Sequence, residues 1–300
     1  MTMKTTGSLP ISRPTTQLGI FASRSRAEAF KLITVYIVLA VGGMFVCLPF
    51  IWMISTSLKD EGSVFVFPPS WIPHPAVWSN YSDAMTVLPF AIFFRNTLIT
   101  TLVPIVGVLL SCSLAAYSFS RLRWPGRDIC FLLVLATMML PHQVTMIPQF
   151  ILFRTLGWID TFFPLIVPPW FAIGAFNVFL LRQFFLTIPL EMDDAAKLDG
   201  ATYLDIYARI LLPMMKPALA AVAIFTFQFH WNDFLGPLIY LHSQSKFTLA
   251  LGLRAFQGEY GTEWNLLMAA SLVVMLPPLL LFFFAQRYFI QGVVFTGIKG

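Results

Sequence analysis

Long stretches without a formal charge dominate the pattern along the chain. No Asp, Glu, Lys or Arg occurs in Leu32–Leu58, Asn96–Ser120, Ile129–Phe153, Thr161–Leu181 or Trp264–Gln286. A bilayer core about 30 Å thick is crossed by roughly 20 helical residues, so each run is long enough to span it. Runs this continuous suit helices, which close their own backbone hydrogen bonds; barrel strands would alternate over about ten residues instead. A further segment, Pro217–Leu241, is apolar on the whole but carries Gln228, His230, Asn232 and Asp233. Such groups are costly against lipid, which predicts that their side of the segment faces protein or water. The pattern therefore predicts an all-α polytopic membrane protein with six transmembrane helices.

Charge enters as a guide to orientation. With the amino terminus inside, the inner segments hold Lys4, Arg13, Arg24, Arg26, Lys31, Arg121, Arg123, Arg127, Arg182, Lys197, Arg209, Lys216, Arg287 and Lys299, which leaves Lys59, Arg95, Arg154, Lys246 and Arg254 outside. Positive residues stay preferentially in the cytoplasm, so both termini are expected there. The organisation read from this is a polar tail over 1–29, a six-helix membrane domain over 30–288 and a second cytoplasmic tail over 289–300. The first span is too long for a signal-peptide core, and no small-residue cleavage site follows it, so it is expected to remain as an anchor. Between Lys59 and Arg95 lie Pro68, Pro69, Pro73, Pro75, Trp71, Trp78 and Tyr81. That mixture predicts an ordered outer loop with a short amphipathic helix.

Composition sharpens this picture. The chain of 300 residues is 58% hydrophobic and 11% charged, with 31 Phe, which is more apolar material than a soluble domain of this size buries. Disorder needs low hydrophobicity and a nucleic-acid binder needs a concentrated basic face; neither is present. The positive-inside asymmetry accounts for the net charge of +5 without an acidic ligand. Cys47, Cys112 and Cys130 lie far apart in apolar stretches, so they read as packing residues and not as a disulfide or zinc framework.

One cytoplasmic stretch, 188–213, is far richer in charge than its surroundings and reads as two short helices. Pro189 suits a helix start, and Glu191, Asp193 and Asp194 fall in the first turns, where carboxylates complement the helix dipole. Gly200 permits a left-handed turn. Thr202 can cap a second helix with Asp205 three residues on, and Leu204, Tyr207, Ile210 and Leu211 recur at helical spacing. One reading is an amphipathic loop on the membrane surface; another is a rigid lever that fits a partner's groove, because Ala195, Ala196 and Gly200 allow close approach.

The order of residues here is that of a known motif: an acidic residue, two alanines, three residues, glycine, nine residues, isoleucine, any residue, leucine and proline. Asp194, Ala195, Ala196, Gly200, Ile210, Leu212 and Pro213 occupy these places, with Asp194 where Glu is usual. The segment resembles the signature loop of ABC importer permeases. Tyr117–Arg127, Leu140–Pro148, Leu156–Thr161, Leu180–Phe185, Trp231–Leu238 and Gln286–Gly292 are similar to stretches of the carbohydrate-uptake branch, specifically the shorter of the two maltose-type permease subunits. The resemblance runs from about residue 30 to the end. It implies a type I ABC importer permease fold and passage of a sugar or sugar-like solute. It also implies as partners a second homologous permease subunit, two ATP-binding subunits and an extracytoplasmic sugar-binding protein. Glu191 and the motif residues would form the contact with the ATPase, and the final segment from Gln291 resembles the family's ATPase-reaching tail. ATP and Mg would sit on the partner subunits, since this chain lacks the G-x-x-x-x-G-K-[ST] phosphate cradle. No cofactor, metal or catalytic residue is expected on it.

Polar residues within the spans are candidates for lining a pathway: His142, Gln143, Asn177, Gln228, His230, Asn232 and Asp233. Each could equally be a hydrogen bond between helices. His142 and His230 also motivate a rival, a proton-coupled secondary carrier, although the repeats usual in such carriers are not visible. A third reading is a noncatalytic scaffold that recruits cytoplasmic proteins through the same loop.

Overall fold

The structure, a computed structural model, describes residues 18–258 and 261–297, and the side chains of 28–141, 143–258 and 261–286 within them. Residues 1–17 of the expected amino-terminal tail and 298–300 of the carboxyl tail, with Lys4, Arg13 and Lys299, lie outside the described residues. The fold is all-α; the described residues hold one isolated bridge, Gln257 with Thr262, and no strand. In chain order the helices are α1 (Leu18–Ser57), α2 (Ser79–Val87), α3 (Phe90–Arg121), α4 (Arg127–Thr137), α5 (His142–Thr155), α6 (Phe163–Ile166), α7 (Ala175–Thr187), α8 (Glu191–Leu198), α9 (Tyr203–Asp205), α10 (Leu212–Met214), α11 (Lys216–Trp231), α12 (Leu235–Tyr240), α13 (Leu249–Gly252) and α14 (Trp264–Gly297).

The chain divides at Met53–Ile54 into two compact units. Among the described residues the first is the body of α1, whose apolar side chains are exposed along its length, from Phe30 at 71% to Val46 at 75%. A helix that presents apolar groups on all sides needs lipid or protein around it.

The second unit is organised around α3. Its carboxyl-terminal half contributes Val108, Cys112, Ala116 and Tyr117 to a core shared with Val178, Leu181 and Phe185 of α7 and Ala218 and Val222 of α11. Its amino-terminal half places Phe93 beside Trp231 and Leu249. Gly107 allows α3 to meet the turn Pro168–Phe171, because a Cβ there would lie 2.6 Å from the Trp170 ring.

Among the described residues, four helical stretches are long and apolar enough to cross a membrane: Glu28–Ser57, Phe90–Arg121, Phe163–Thr187 and Trp264–Gln286. The pair Tyr203–Met214 and Lys216–Trp231, bent by 78°, makes a fifth if taken as one span. The expected single helix over Ile129–Phe153 is corrected to two, α4 of 11 residues and α5 of 14. The break falls at Leu140-Pro141, where the proline ring disfavours a helical residue before it and removes a backbone donor. The segment Pro217–Leu241 is likewise interrupted after Trp231, where Asp233 Oδ1 accepts the Gly236 N–H at 3.0 Å and starts α12 afresh.

Candidate functional site

The charged segment folds as its local sequence directs. Glu191, Asp193 and Asp194 occupy the first turn of α8. Gly200 adopts φ +81°, a left-handed conformation that a Cβ would strain. Thr202 then caps α9 in a reciprocal box with Asp205, whose carboxylate is held below its usual range by hydrogen bonds from the Thr202 hydroxyl and N–H. Beyond the cap, Ile206–Leu211 widens to a π-helix before α10. Pro213 lies within α10, and the helix axis turns only at Met215.

One face of this segment is fixed to the helices above it. Ala196, Ile206, Tyr207, Leu211 and Met215 join the core of α3, α7 and α11, with Ile210 and Leu212 packed against it. The Tyr207 hydroxyl lies 2.7 Å from Ser113 Oγ, and the Tyr117 hydroxyl donates to the Tyr203 carbonyl at 3.0 Å. The opposite face is open: Glu191, Asp194, Ala195 and Gly200 are exposed, Leu198 is 89% exposed and Leu204 69%. The motif's two alanines therefore part company, Ala195 outward and Ala196 inward.

A residue the sequence pattern did not single out joins α3 to this segment. Arg121, the last residue of α3, donates from Nη2 to the Phe185 carbonyl at 2.5 Å and the Ile188 carbonyl at 2.7 Å. Its Nη1 lies 3.6 Å from Asp193 Oδ1. Burial pushes the Asp193 carboxyl up and the Arg121 charge opposes that shift. Arg121 thus closes the carboxyl end of α7 and neutralises the first turn of α8 together.

The polar residues of the spans are scattered by comparison. Asn232, which caps the carboxyl end of α11, donates to Gln228 twice, at 2.8 Å to its carbonyl and 3.1 Å to its side chain. Asn177 lies partly buried on α7, Gln143 is exposed on α5, and the His230 ring meets Phe229 edge-on at 5.2 Å. His142 begins α5, and its side chain lies outside the described residues. Among the described side chains, hydrogen bonds join Gln228 with Asn232.

At the opposite end from Asp193, a second polar clip joins two loops. Asp160, at φ +57°, accepts the backbone N–H groups of His242 and Ser243 at 3.0 and 2.9 Å and the Ser243 hydroxyl at 2.6 Å. Lys246 pairs with it at 2.9 Å. These bonds, led by the Ser243 hydroxyl, hold the Asp160 carboxyl well below the ordinary carboxylate range. Nearby, Asn96 donates to the carbonyls of Ser245 and Phe247 at 2.9 and 3.0 Å.

The family described as binding-protein-dependent transport system inner membrane component matches residues 107–294, from the middle of α3 into α14. This chain belongs to that family. The matched region of this inner membrane component holds Arg121, the 188–213 segment and the Asp160 clip. Its relatives include the arabinooligosaccharides transport system permease protein AraQ of Halalkalibacterium halodurans, 36% identical over 82% of this chain and 86% of the relative. The sn-glycerol-3-phosphate transport system permease protein UgpE of Yersinia enterocolitica is 31% identical over 86% of this chain and 94% of its own. The fold matches a chain in the crystal structure of a bacterial ABC transporter involved in the import of the acidic polysaccharide alginate. There the TM-score is 0.77 at 24% identity, covering 88% of this chain and 98% of the other. As a permease of a transport system the chain is not itself an enzyme.

Proposed function

We propose that the chain is a membrane-spanning subunit of an ATP-driven importer for a sugar or sugar-like solute. In this reading it crosses the membrane six times with both termini cytoplasmic, the α4–α5 pair serving as the third crossing. It pairs with a second homologous permease, two ATP-binding subunits and an extracytoplasmic sugar-binding protein. ATP and Mg belong to the ATP-binding subunits. The sugar class follows from relatives such as the arabinooligosaccharide permease.

The observation that carries the coupling role is the two-faced 188–213 segment. A helix that is exposed on one side and pinned to α3, α7 and α11 on the other suits the transfer of displacement from a docked partner into the bundle. Force can bias a conformational equilibrium only through contacts that differ between its states, and a rigid connection preserves such differences. Glu191, Asp194, Ala195 and Gly200 form the contact surface in this reading, while Ala196, Ile210, Leu212 and Pro213 hold it in place. Gln228, Asn232 and Asp233, with His142, Gln143, Asn177 and His230, are the candidate pathway residues.

The test is purification of the tagged chain from native membranes in mild detergent. One homologous permease and two ATPase chains should co-purify, with ATPase activity stimulated by a sugar-loaded binding protein. A chain that purifies alone and carries solute in response to a proton gradient would overturn this reading in favour of a secondary carrier. Association with cytoplasmic proteins without solute flux would make it a scaffold.

A further inference from the structure

A cavity of about 410 Å³ opens at the short connection between α3 and α4, lined by Arg123, Trp124, Gly126, Arg127, Asp128 and Ile129. Its cations are incompletely used. Arg127 donates Nε to Asp128 at 2.9 Å and Nη1 to the Leu122 carbonyl at 3.3 Å, and its Nη2 has no hydrogen-bond partner among the described residues. Arg123 is exposed and makes no hydrogen bond or ion pair among the described residues. Arg182 of α7 lies 4.2 Å over the Phe131 ring, within electrostatic range of Arg127 and Asp128. Arg127 and Arg182 therefore share the Asp128 carboxylate, and Arg123 has no counter-charge among the described residues.

The backbone adds to this charge. Gly126 turns at φ +82° and α4 begins at Arg127, whose N–H donates to the Trp124 carbonyl at 3.3 Å, so the positive end of an 11-residue helix dipole lies at the cavity. The wall that leads away is apolar: Ile129, Leu132 and Leu133 are 67%, 65% and 62% exposed. Trp124 lines the rim with its indole N–H held by Ser118 Oγ at 3.1 Å, so it offers the cavity a fixed ring and no donor. A soluble anion would use the arginines but has no use for the apolar wall. A lipid uses both.

We propose that Arg123, Arg127 and Trp124 form a site for the phosphate headgroup of an anionic phospholipid, with its acyl chains along Ile129, Leu132 and Leu133. The proposal rests on the orientation given above, which puts the α3–α4 connection at the cytoplasmic interface, where basic pockets meet anionic headgroups.

The experiment is native mass spectrometry of the purified complex with phosphatidylglycerol or phosphatidylcholine added at matched concentration. Wild type should retain phosphatidylglycerol preferentially, and R123Q/R127Q should bind it more weakly by roughly fivefold for each arginine removed. If the double variant does not fold, R123Q alone carries the test, since Arg123 holds no other partner among the described residues, and should lose about fivefold. Equal retention by wild type and variant, or equal retention of the two lipids, overturns the site. Displacement of phosphatidylglycerol by inorganic phosphate at matched concentration would make it a free-anion site and overturn the lipid assignment. Because lipid retention is read without transport, failure of the importer reading is registered separately by the absence of co-purifying ATPase subunits.

Discussion

Arg121 Nη1 and Asp193 Oδ1 face each other at 3.6 Å with only 2% and 7% of their side chains exposed, so the end of α3 and the first turn of α8 share one buried ion pair. Among the described residues neither Arg121 Nε nor Asp193 Oδ1 has a hydrogen-bond partner, which leaves the pair dependent on its mutual attraction and on the two carbonyls that Arg121 serves. Arg121→Leu should cost about 3–5 kcal/mol, because it strands a buried carboxylate and frees two carbonyls. Thermal unfolding in detergent checks this. Adding Asp193→Asn should restore part of the loss, whereas strictly additive effects would show that the two residues do not interact. The deficit of Arg121→Leu should shrink at acid pH, where a protonated Asp193 no longer needs a counter-charge.

Gly200 sets the angle between α8 and α9. Its φ of +81° makes Gly200→Val strained by about 1–3 kcal/mol, while the Cβ itself meets nothing within 4 Å. The expected outcome is ATPase activity retained with solute uptake lost, measured on the same reconstituted preparation. Gly200→Asn, which tolerates this conformation better, should keep more coupling. Wild-type uptake in Gly200→Val would refute the lever.

Gly107 is a packing position. Any side chain there enters the Trp170 ring, so Gly107→Leu should destabilise by about 1–3 kcal/mol and Trp170→Ala should relieve part of that. Thermal unfolding of the two single variants and the double variant decides it.

The Asp160 clip predicts a pH dependence. Its carboxyl titrates lower in the folded chain than in the unfolded one, so its contribution is complete above the ordinary carboxylate range and disappears as pH falls through the folded value. Asp160→Asn should lose about 1–2 kcal/mol. The difference from wild type should stay flat between about pH 5 and 8 and shrink only below about 4. A difference that titrates near neutrality would assign the effect to another group.

What the sequence disclosed was local. The Gly200 turn and the Thr202–Asp205 cap need only neighbouring residues, and both were readable from spacing. Hydropathy measured the apolar length of Ile129–Phe153 but not its continuity. Nor does proline decide that alone, since Pro104, Pro277 and Pro278 stand inside unbroken helices while Pro141 marks a break. Arg121 counted only as one more inner cation, because its partner is brought to it by the packing of α3 on α7. Asp160 and Lys246 were hidden for the same reason. The candidate pathway residues were picked out by polarity within apolar runs, a criterion that names a residue type but carries no information on which helix faces meet.

The 78° elbow at Met215 gives the permease a change of direction. A push along Tyr203–Met214 meets Lys216–Trp231 almost at right angles, so little of it slides α11 along its own axis and most of it swings that helix sideways. Under the coupling proposed above, the elbow acts as a crank: displacement enters along one axis and leaves as tilt about another.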